Sequence, residues 1–240
     1  MVESKIIFEK PRKIKFNHSN KIGPQLRMIV FGKSNSGKTF LLMKLLLTEN
    51  ILDYNNLHIF TTTPEQSAYQ ILLHGFKNNL SKSIMYSLFI NYLEDEFECN
   101  FSEVCQELSE DEQNVRSTND SAKSKEKIEI IVTNKVNELL DPSDLNKSKK
   151  NIVIFDDIID SKKFSILPSS FFVRSRHFNC GVIFLSQSFF GIDHKLIRSN
   201  ANIFVIFKTV PRTLRQLLQN INIENIDEFK RDAFRAWKKK

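Results

Sequence analysis

Leu26-Arg27-Met28-Ile29-Val30-Phe31-Gly32-Lys33-Ser34-Asn35-Ser36-Gly37-Lys38-Thr39-Phe40-Leu41-Leu42-Met43-Lys44-Leu45-Leu46-Leu47 is the stretch that decides the fold. Its opening is apolar and of strand length, and its close, from Phe40, is a strong helix former. Between them, Gly32 to Thr39 read GxxxxGKT. A strand, a glycine-containing loop and a helix N-terminus in this order make a polyphosphate cradle, because unpaired backbone N–H groups converge on an anion there. The residues assigned to the cradle are Gly32, Lys33, Ser34, Asn35, Ser36, Gly37, Lys38 and Thr39. Gly32 and Gly37 allow backbone geometry and close approaches that a Cβ would obstruct. Lys38 is placed to reach the β- and γ-phosphates of a nucleoside triphosphate such as ATP, and the Thr39 hydroxyl to ligate Mg²⁺.

A second apolar strand, Ile152-Val153-Ile154-Phe155, ends in Asp156-Asp157. In a parallel sheet the C-terminal ends of all strands share one rim, so this acidic pair converges on the phosphate loop. Asp156 is expected to hold Mg²⁺ through water and so complete the coordination begun by Thr39. Asp157 is then placed to orient the attacking water or accept its proton. A third strand, Val182-Ile183-Phe184-Leu185, ends in Ser186-Gln187. The Gln187 amide carries both donors and an acceptor, which suits it to bridging a γ-phosphate oxygen and a water from a position between the two earlier strands.

Composition sets the frame. A chain of 240 residues with 41% apolar residues, six glycines and six prolines is expected to fold as one ordered domain. No apolar run reaches the length of a membrane span, and Met1-Val2-Glu3-Ser4-Lys5 lacks the apolar centre of a secretory signal. Cys99, Cys105 and Cys180 show no CxxC spacing and read as reduced thiols of an intracellular protein. The histidines are scattered singly, so no zinc site is assigned. The net charge of +7 concentrates in the first fifty residues and the last hundred, which favours a polyanionic partner.

Along the chain, residues 1–22 read as a basic extension with one short strand at Ile6-Ile7-Phe8, and 23–240 as the main domain. Leu57 to Thr61 forms a strand that ends in Thr61-Thr62-Thr63-Pro64. Residues 65–92 have helical periodicity broken at Gly75. Residues 94–127, acidic and then rich in Ser, Asn and Lys, are expected to be a loop insertion or disordered. Ile128 to Leu140 has helical spacing, punctuated by Asp141-Pro142-Ser143. Further strands are expected at 181–185 and 203–207, and helices at 168–177, 193–198, 211–221 and 227–238. Strands alternating with helices predict an α/β fold, a doubly wound, mostly parallel sheet with helices on both faces.

The phosphate loop, Ile154-Phe155-Asp156-Asp157 and Arg176-His177-Phe178-Asn179-Cys180-Gly181-Val182-Ile183-Phe184-Leu185-Ser186-Gln187 together resemble the FtsK–HerA superfamily of P-loop ATPases. The nearer likeness is to the genome-packaging ATPases of poxviruses, giant viruses, virophages and Polinton-like elements. Ile197-Arg198-Ser199-Asn200-Ala201-Asn202-Ile203-Phe204 is similar too, and the likeness spans roughly 23–220. The 94–127 segment and the basic N-terminal extension do not match. The resemblance implies a RecA-like domain working as a homo-oligomeric ring that hydrolyses ATP with Mg²⁺. That ring would drive double-stranded DNA, without sequence preference, into a preformed capsid. It also implies capsid proteins as partners and a place in the host cytoplasm, the viral factory or the virion. In such rings an arginine from one subunit completes its neighbour's site. Arg176 is the first candidate and Arg174 the second, ahead of Arg198, Arg212 and Arg215. DNA phosphates would be met by Lys195, Arg198, Lys208, Arg212 and Arg215, and the contact would depend on salt.

Several rival readings share parts of this pattern. Asn134-Lys135-Val136-Asn137 imitates the guanine-reading NKxD, but Asn137 stands where Asp is needed. A small-molecule kinase needs neither the acidic pair nor the strand-end Gln. A HerA-like helicase or conjugation-type DNA pump is the alternative within the motor class. A non-hydrolysing, ATP-bound DNA scaffold is the alternative outside it.

Overall fold

The computed structural model describes residues 18, 21–22, 25–95, 100–116, 127–135, 141–158, 162–187, 194–221 and 225–238. The expected strand at 6–8 lies outside them. The strands are β1 (Arg27–Phe31), β2 (Asn56–Thr61), β3 (Glu129–Thr133), β4 (Asn151–Asp156), β5 (Cys180–Ser186) and β6 (Ile203–Ile206). They form one sheet in the order β3-β2-β4-β5-β1-β6, and every pairing is parallel. The sheet is therefore α/β and doubly wound, as the alternating pattern required. β5 lies between β1 and β4, so the ends of these three strands sit side by side.

The helices among the described residues are α1 (Lys38–Leu47), α2 (Ser67–Lys77), α3 (Lys82–Asp95), α4 (Phe101–Arg116), α5 (Lys162–Arg174), α6 (His194–Asn200), α7 (Pro211–Asn220) and α8 (Ile226–Lys238). Strand side chains alternate between the sheet's two faces. Met28, Val30, Ile152, Ile154, Ile183 and Leu185 enter a core shared with α1 to α4. Ile29, Val153, Phe155, Val182 and Phe184 enter a second core with Phe171 and Phe172 of α5 and Ile197 of α6. Near-continuous apolar strands are what a sheet covered on both sides demands. In α7 the stripe Leu214, Leu217 and Leu218 is fully buried, so it serves the core.

Four local expectations are corrected. Residues 101–116 are not loop but α4, whose Phe101, Val104, Cys105 and Leu108 fall at helical spacing and pack on the first core. That sparse stripe is enough to hold an otherwise acidic helix against α2. Residues 129–133 are strand, not helix. Ile128 and Val132 satisfy a spacing of four, but with Ile130 they also satisfy a spacing of two, and pairing with β2 decides between the readings. Gly75 lies within α2, and the break falls at 78–81. Its role is close approach, since a Cβ there would meet Met85 Sδ of α3 at 2.3 Å. Finally, α5 begins at Lys162 and runs through Pro168. Phe171 and Phe172, both fully buried, hold the helix despite the amide proton that proline lacks.

Candidate functional site

β1 ends at Phe31, and the chain leaves the sheet at Gly32, whose N–H donates to Ser186 O of β5 at 3.2 Å. There is no room for a side chain at this position. A Cβ on Gly32 would lie 2.3 Å from Ser36 Oγ and 2.8 Å from Phe207 Cβ. The loop turns through Asn35 at φ 56° and Gly37 at φ 95°, the left-handed region where glycine carries no steric penalty. Gly37 caps α1, so the N–H groups of the helix's first turn open toward the loop's concave side. Lys38 is buried and folds back, its Nζ donating to Gly32 O at 2.8 Å and to Lys33 O at 2.9 Å. Burial lowers the Lys38 pKa, while the carboxylates of Asp157 and Asp156 act to raise it.

Register explains the acidic pair. Asp156 follows Ile152 and Ile154 on the sheet face that α1 and α2 cover, and it sits opposite Thr61 of β2. Its side chain is only 7% exposed. Tyr69 of α2, fully buried, donates its phenol proton to Asp156 Oδ2. Burial pushes the Asp156 carboxyl above the usual range and Asp157 adds to the rise, while the Tyr69 bond and the Lys38 charge oppose it. Asp157 turns out of the strand at φ 54°, its N–H donating to Leu185 O at 3.2 Å. Its Oδ2 accepts from the Gln187 amide, and its Oδ1 is buried without a hydrogen-bond partner.

Ser34, Asn35, Ser36, Gly37, Lys38, Thr39, Asp156, Asp157 and Gln187 line one cavity of about 480 Å³. Thr62, Thr63 and Gln66, from the turn after β2, line it too, as do Phe40, Phe89 and Tyr92. The structure thus brings most of the phosphate loop, the acidic pair and the strand-end amide into a single space. Sequence reasoning missed Tyr69, Phe89, Tyr92 and the Thr62-Thr63 turn. The polar run after β2 was a signal for the turn. The aromatic residues are hidden in ordinary helical stripes.

Arg174 and Arg176 are not brought there. Both precede β5 and lie at the opposite edge of the sheet, a strand length of roughly 20 Å away. Arg174 bonds Asp141 at 3.2 Å, and Arg176 Nε lies 3.2 Å from His177 Nε2. Arg176 is close enough to Arg27 that its charge, added to burial, lowers the Arg27 pKa. Lys195 and Arg198 of α6 lie before β6, at that same edge. Lys208, Arg212 and Arg215 follow β6 and are exposed, on the side of the sheet where its strands end.

The donor set suits Mg²⁺. A hydroxyl at Thr39 and carboxylates at Asp156 and Asp157 are hard oxygen ligands, and the orphaned Asp157 Oδ1 awaits a proton donor or a cation. The buried, unpartnered Ser36 Oγ suits a phosphate held against the loop.

This fold and this rim define a P-loop NTPase of the α/β, RecA-like class. The sequence profile of the family described as Poxvirus A32 protein matches residues 120–230, just under half of the chain. That range contains the acidic pair, Gln187 and β3 to α7, and excludes the phosphate loop. The likeness to the Poxvirus A32 family is therefore carried by a part of the chain separate from the phosphate loop. Among solved structures, the chain is similar to the genome packaging NTPase B204 from Sulfolobus turreted icosahedral virus 2, determined in complex with ATP-gammaS. The identity is 13%, with 87% of each chain covered and a TM-score of 0.43. It is also similar to VirB4 of Thermoanaerobacter pseudethanolicus, at 12% identity, with 90% of this chain and 83% of that one covered and a TM-score of 0.44. No curated protein matches the chain. No helix among the described residues is long and apolar enough to cross a membrane.

Proposed function

We propose that this chain is an ATP-driven DNA translocase that packages double-stranded viral DNA into a capsid, acting as a homo-oligomeric ring. The observation that carries the reading is the meeting of Lys38, Thr39, Asp156, Asp157 and Gln187 on one cavity, together with the family match over the half of the chain that holds the last three. The loop backbone from Ser34 to Lys38 cradles the β-phosphate. Lys38 exchanges its two carbonyl partners for phosphate oxygens, which keeps its charge compensated throughout. Thr39 and Asp156 would hold Mg²⁺, which when bound would supply positive charge to the triphosphate. Asp157 takes a proton from the attacking water, and Gln187 fixes the rotamer of Asp157 and so the direction from which the water is held.

Two features belong to the ring. Arg176, or Arg174 after it, lies on the far edge of its own subunit and so is offered to a neighbour's site rather than to its own. DNA phosphates are met by surface cations, with the exposed Lys208, Arg212 and Arg215 on the nucleotide rim and the exposed Lys195 and half-buried Arg198 on the other. Contacts of that kind position a duplex without reading it.

The test compares wild type with Asp157→Asn in saturating duplex DNA, measuring both turnover and nucleotide affinity. Wild type should hydrolyse ATP, with DNA raising the rate. The variant should bind ATP normally and lose about 10²–10⁴-fold in rate, the range for removal of a general base. Equal turnover in the two proteins would leave the chain a DNA-binding scaffold. Co-purification with capsid proteins separates packaging from a conjugation-type pump.

A further inference from the structure

Tyr69 is the one buried phenol that reaches the acidic pair, and nothing in the reading above requires it. It sits in α2 among apolar neighbours, fully buried, with its hydroxyl on Asp156 Oδ2. A phenylalanine would fill the same space without a polar atom to satisfy, so the hydroxyl has to be explained by what it touches. Thr61, the cross-strand partner of Asp156, lies near enough to the phenol to lower its pKa against the rise that burial and Asp156 impose. Thr61 Oγ1 in turn accepts from Thr63 N–H at 3.2 Å, and Thr63 lines the cavity. Two hydrogen bonds, Thr63 N–H to Thr61 and Tyr69 to Asp156, thus lie next to each other between the cavity wall and the carboxylate.

We propose that Tyr69 is a positioning residue for the metal site: it ties down Oδ2 of Asp156 and presents Oδ1 to the water shell of Mg²⁺. The inference rests on the assignment of Asp156 as a metal-holding residue. A carboxylate at a strand end can rotate about two side-chain bonds, and α2 fixes that rotation from behind through a single donor. Partners of this kind, which touch a ligand rather than the metal, typically account for 10–100-fold in metal affinity. The Thr63-Thr61 link also couples the carboxylate's orientation to the turn after β2, so a nucleotide pressing on Thr62 and Thr63 is felt at Asp156.

The experiment measures binding of a non-hydrolysable ATP analogue to the full chain by calorimetry, in EDTA and across a Mg²⁺ titration, for wild type, Tyr69→Phe and Thr61→Val. Tyr69→Phe should leave affinity in EDTA unchanged and raise the Mg²⁺ midpoint about 10–100-fold. Thr61→Val, which leaves the phenol in place, should shift the midpoint the same way by less. Wild-type Mg²⁺ midpoints in both variants, whether or not their melting temperatures fall, would overturn the proposal and leave Tyr69 a packing residue. If wild type itself showed no Mg²⁺ dependence, the assignment of Asp156 would fall, an outcome distinguishable from failure of the tyrosine alone.

Discussion

Gly32→Ala tests whether the phosphate loop is as tightly seated as its contacts imply. The new methyl would meet Ser36 Oγ at 2.3 Å and Phe207 Cβ at 2.8 Å, with Phe207 Cδ2 at 3.2 Å. The serine contact is inexpensive, because the hydroxyl can rotate. The Phe207 contact is not, because Cβ moves only with the backbone, and that backbone is held by a 2.8 Å bond from Phe207 N–H to Phe31 O. The end of β6 must therefore shift, and overpacking of this kind costs about 1–3 kcal/mol. For a chain of this length that lowers the melting temperature by about 2–4 °C per kcal/mol. The rotated Ser36 side chain also intrudes on the cradle, so ATP affinity should fall at least about tenfold, equivalent to 1.4 kcal/mol. Thermal melting and equilibrium nucleotide binding read the two effects separately. Adding Phe207→Ala should not rescue either one, since the offending Cβ remains. Rescue by that second change, or a Gly32→Ala protein with unaltered melting and affinity, would refute the reasoning.

Other outcomes follow from single contacts. Burial lowers the Lys82 pKa to about 8, with the Asp53 and Glu49 charges acting against it; the ammonium donates to Leu52 O at 3.1 Å and lies 4.2 Å from the Tyr54 ring centroid. Between pH 8 and 10.5 the unfolded chain binds the proton that the folded chain has released, so this group makes stability rise with pH there and contributes no slope below 8. Lys82→Met should abolish that rise, which is at most about 3 kcal/mol at 1.36 kcal/mol per pKa unit, in denaturant melts taken across the window. Lys38→Ala should lose ATP affinity, because no other cation lines the cavity among the described residues. Arg176→Ala should be inactive alone yet partly active when mixed with Lys38→Ala subunits; absence of rescue at every mixing ratio would argue against an arginine supplied in trans.

The nucleotide-binding half of the fold was legible because its signals are local. Glycines at Gly32 and Gly37, and apolar runs ending in Asp156 and Gln187, each announce a strand end without help from the rest of the chain. The parts that misled depend on contacts distant in sequence. Whether Ile128, Ile130 and Val132 form strand or helix is settled by a free edge on β2, which is invisible from residues 128–140 alone. The acidic composition of 101–116 masked a narrow stripe ending near Ser109, whose Oγ donates to Asn78 O at 2.9 Å and ties α4 to the end of α2. Gly75 looked like a break because a glycine in a helix usually weakens it, whereas here it admits Met85. Tyr69 was unreadable for a related reason. Its hydroxyl meets Asp156 across 87 residues, and a tyrosine in an apolar stripe carries no mark of what its far end will touch.

In the proposed site, loop, acidic pair and amide grip one metal-bound triphosphate. The most direct measurement is an experimental structure of the chain with Mg²⁺ and a non-hydrolysable ATP analogue. The metal should lie at about 2.0–2.1 Å from Thr39 Oγ1, with Asp156 reaching it through water and Lys38 on the γ-phosphate. A triphosphate seated elsewhere, or a metal bound by Thr39 with Asp156 turned to a different ligand, would contradict it.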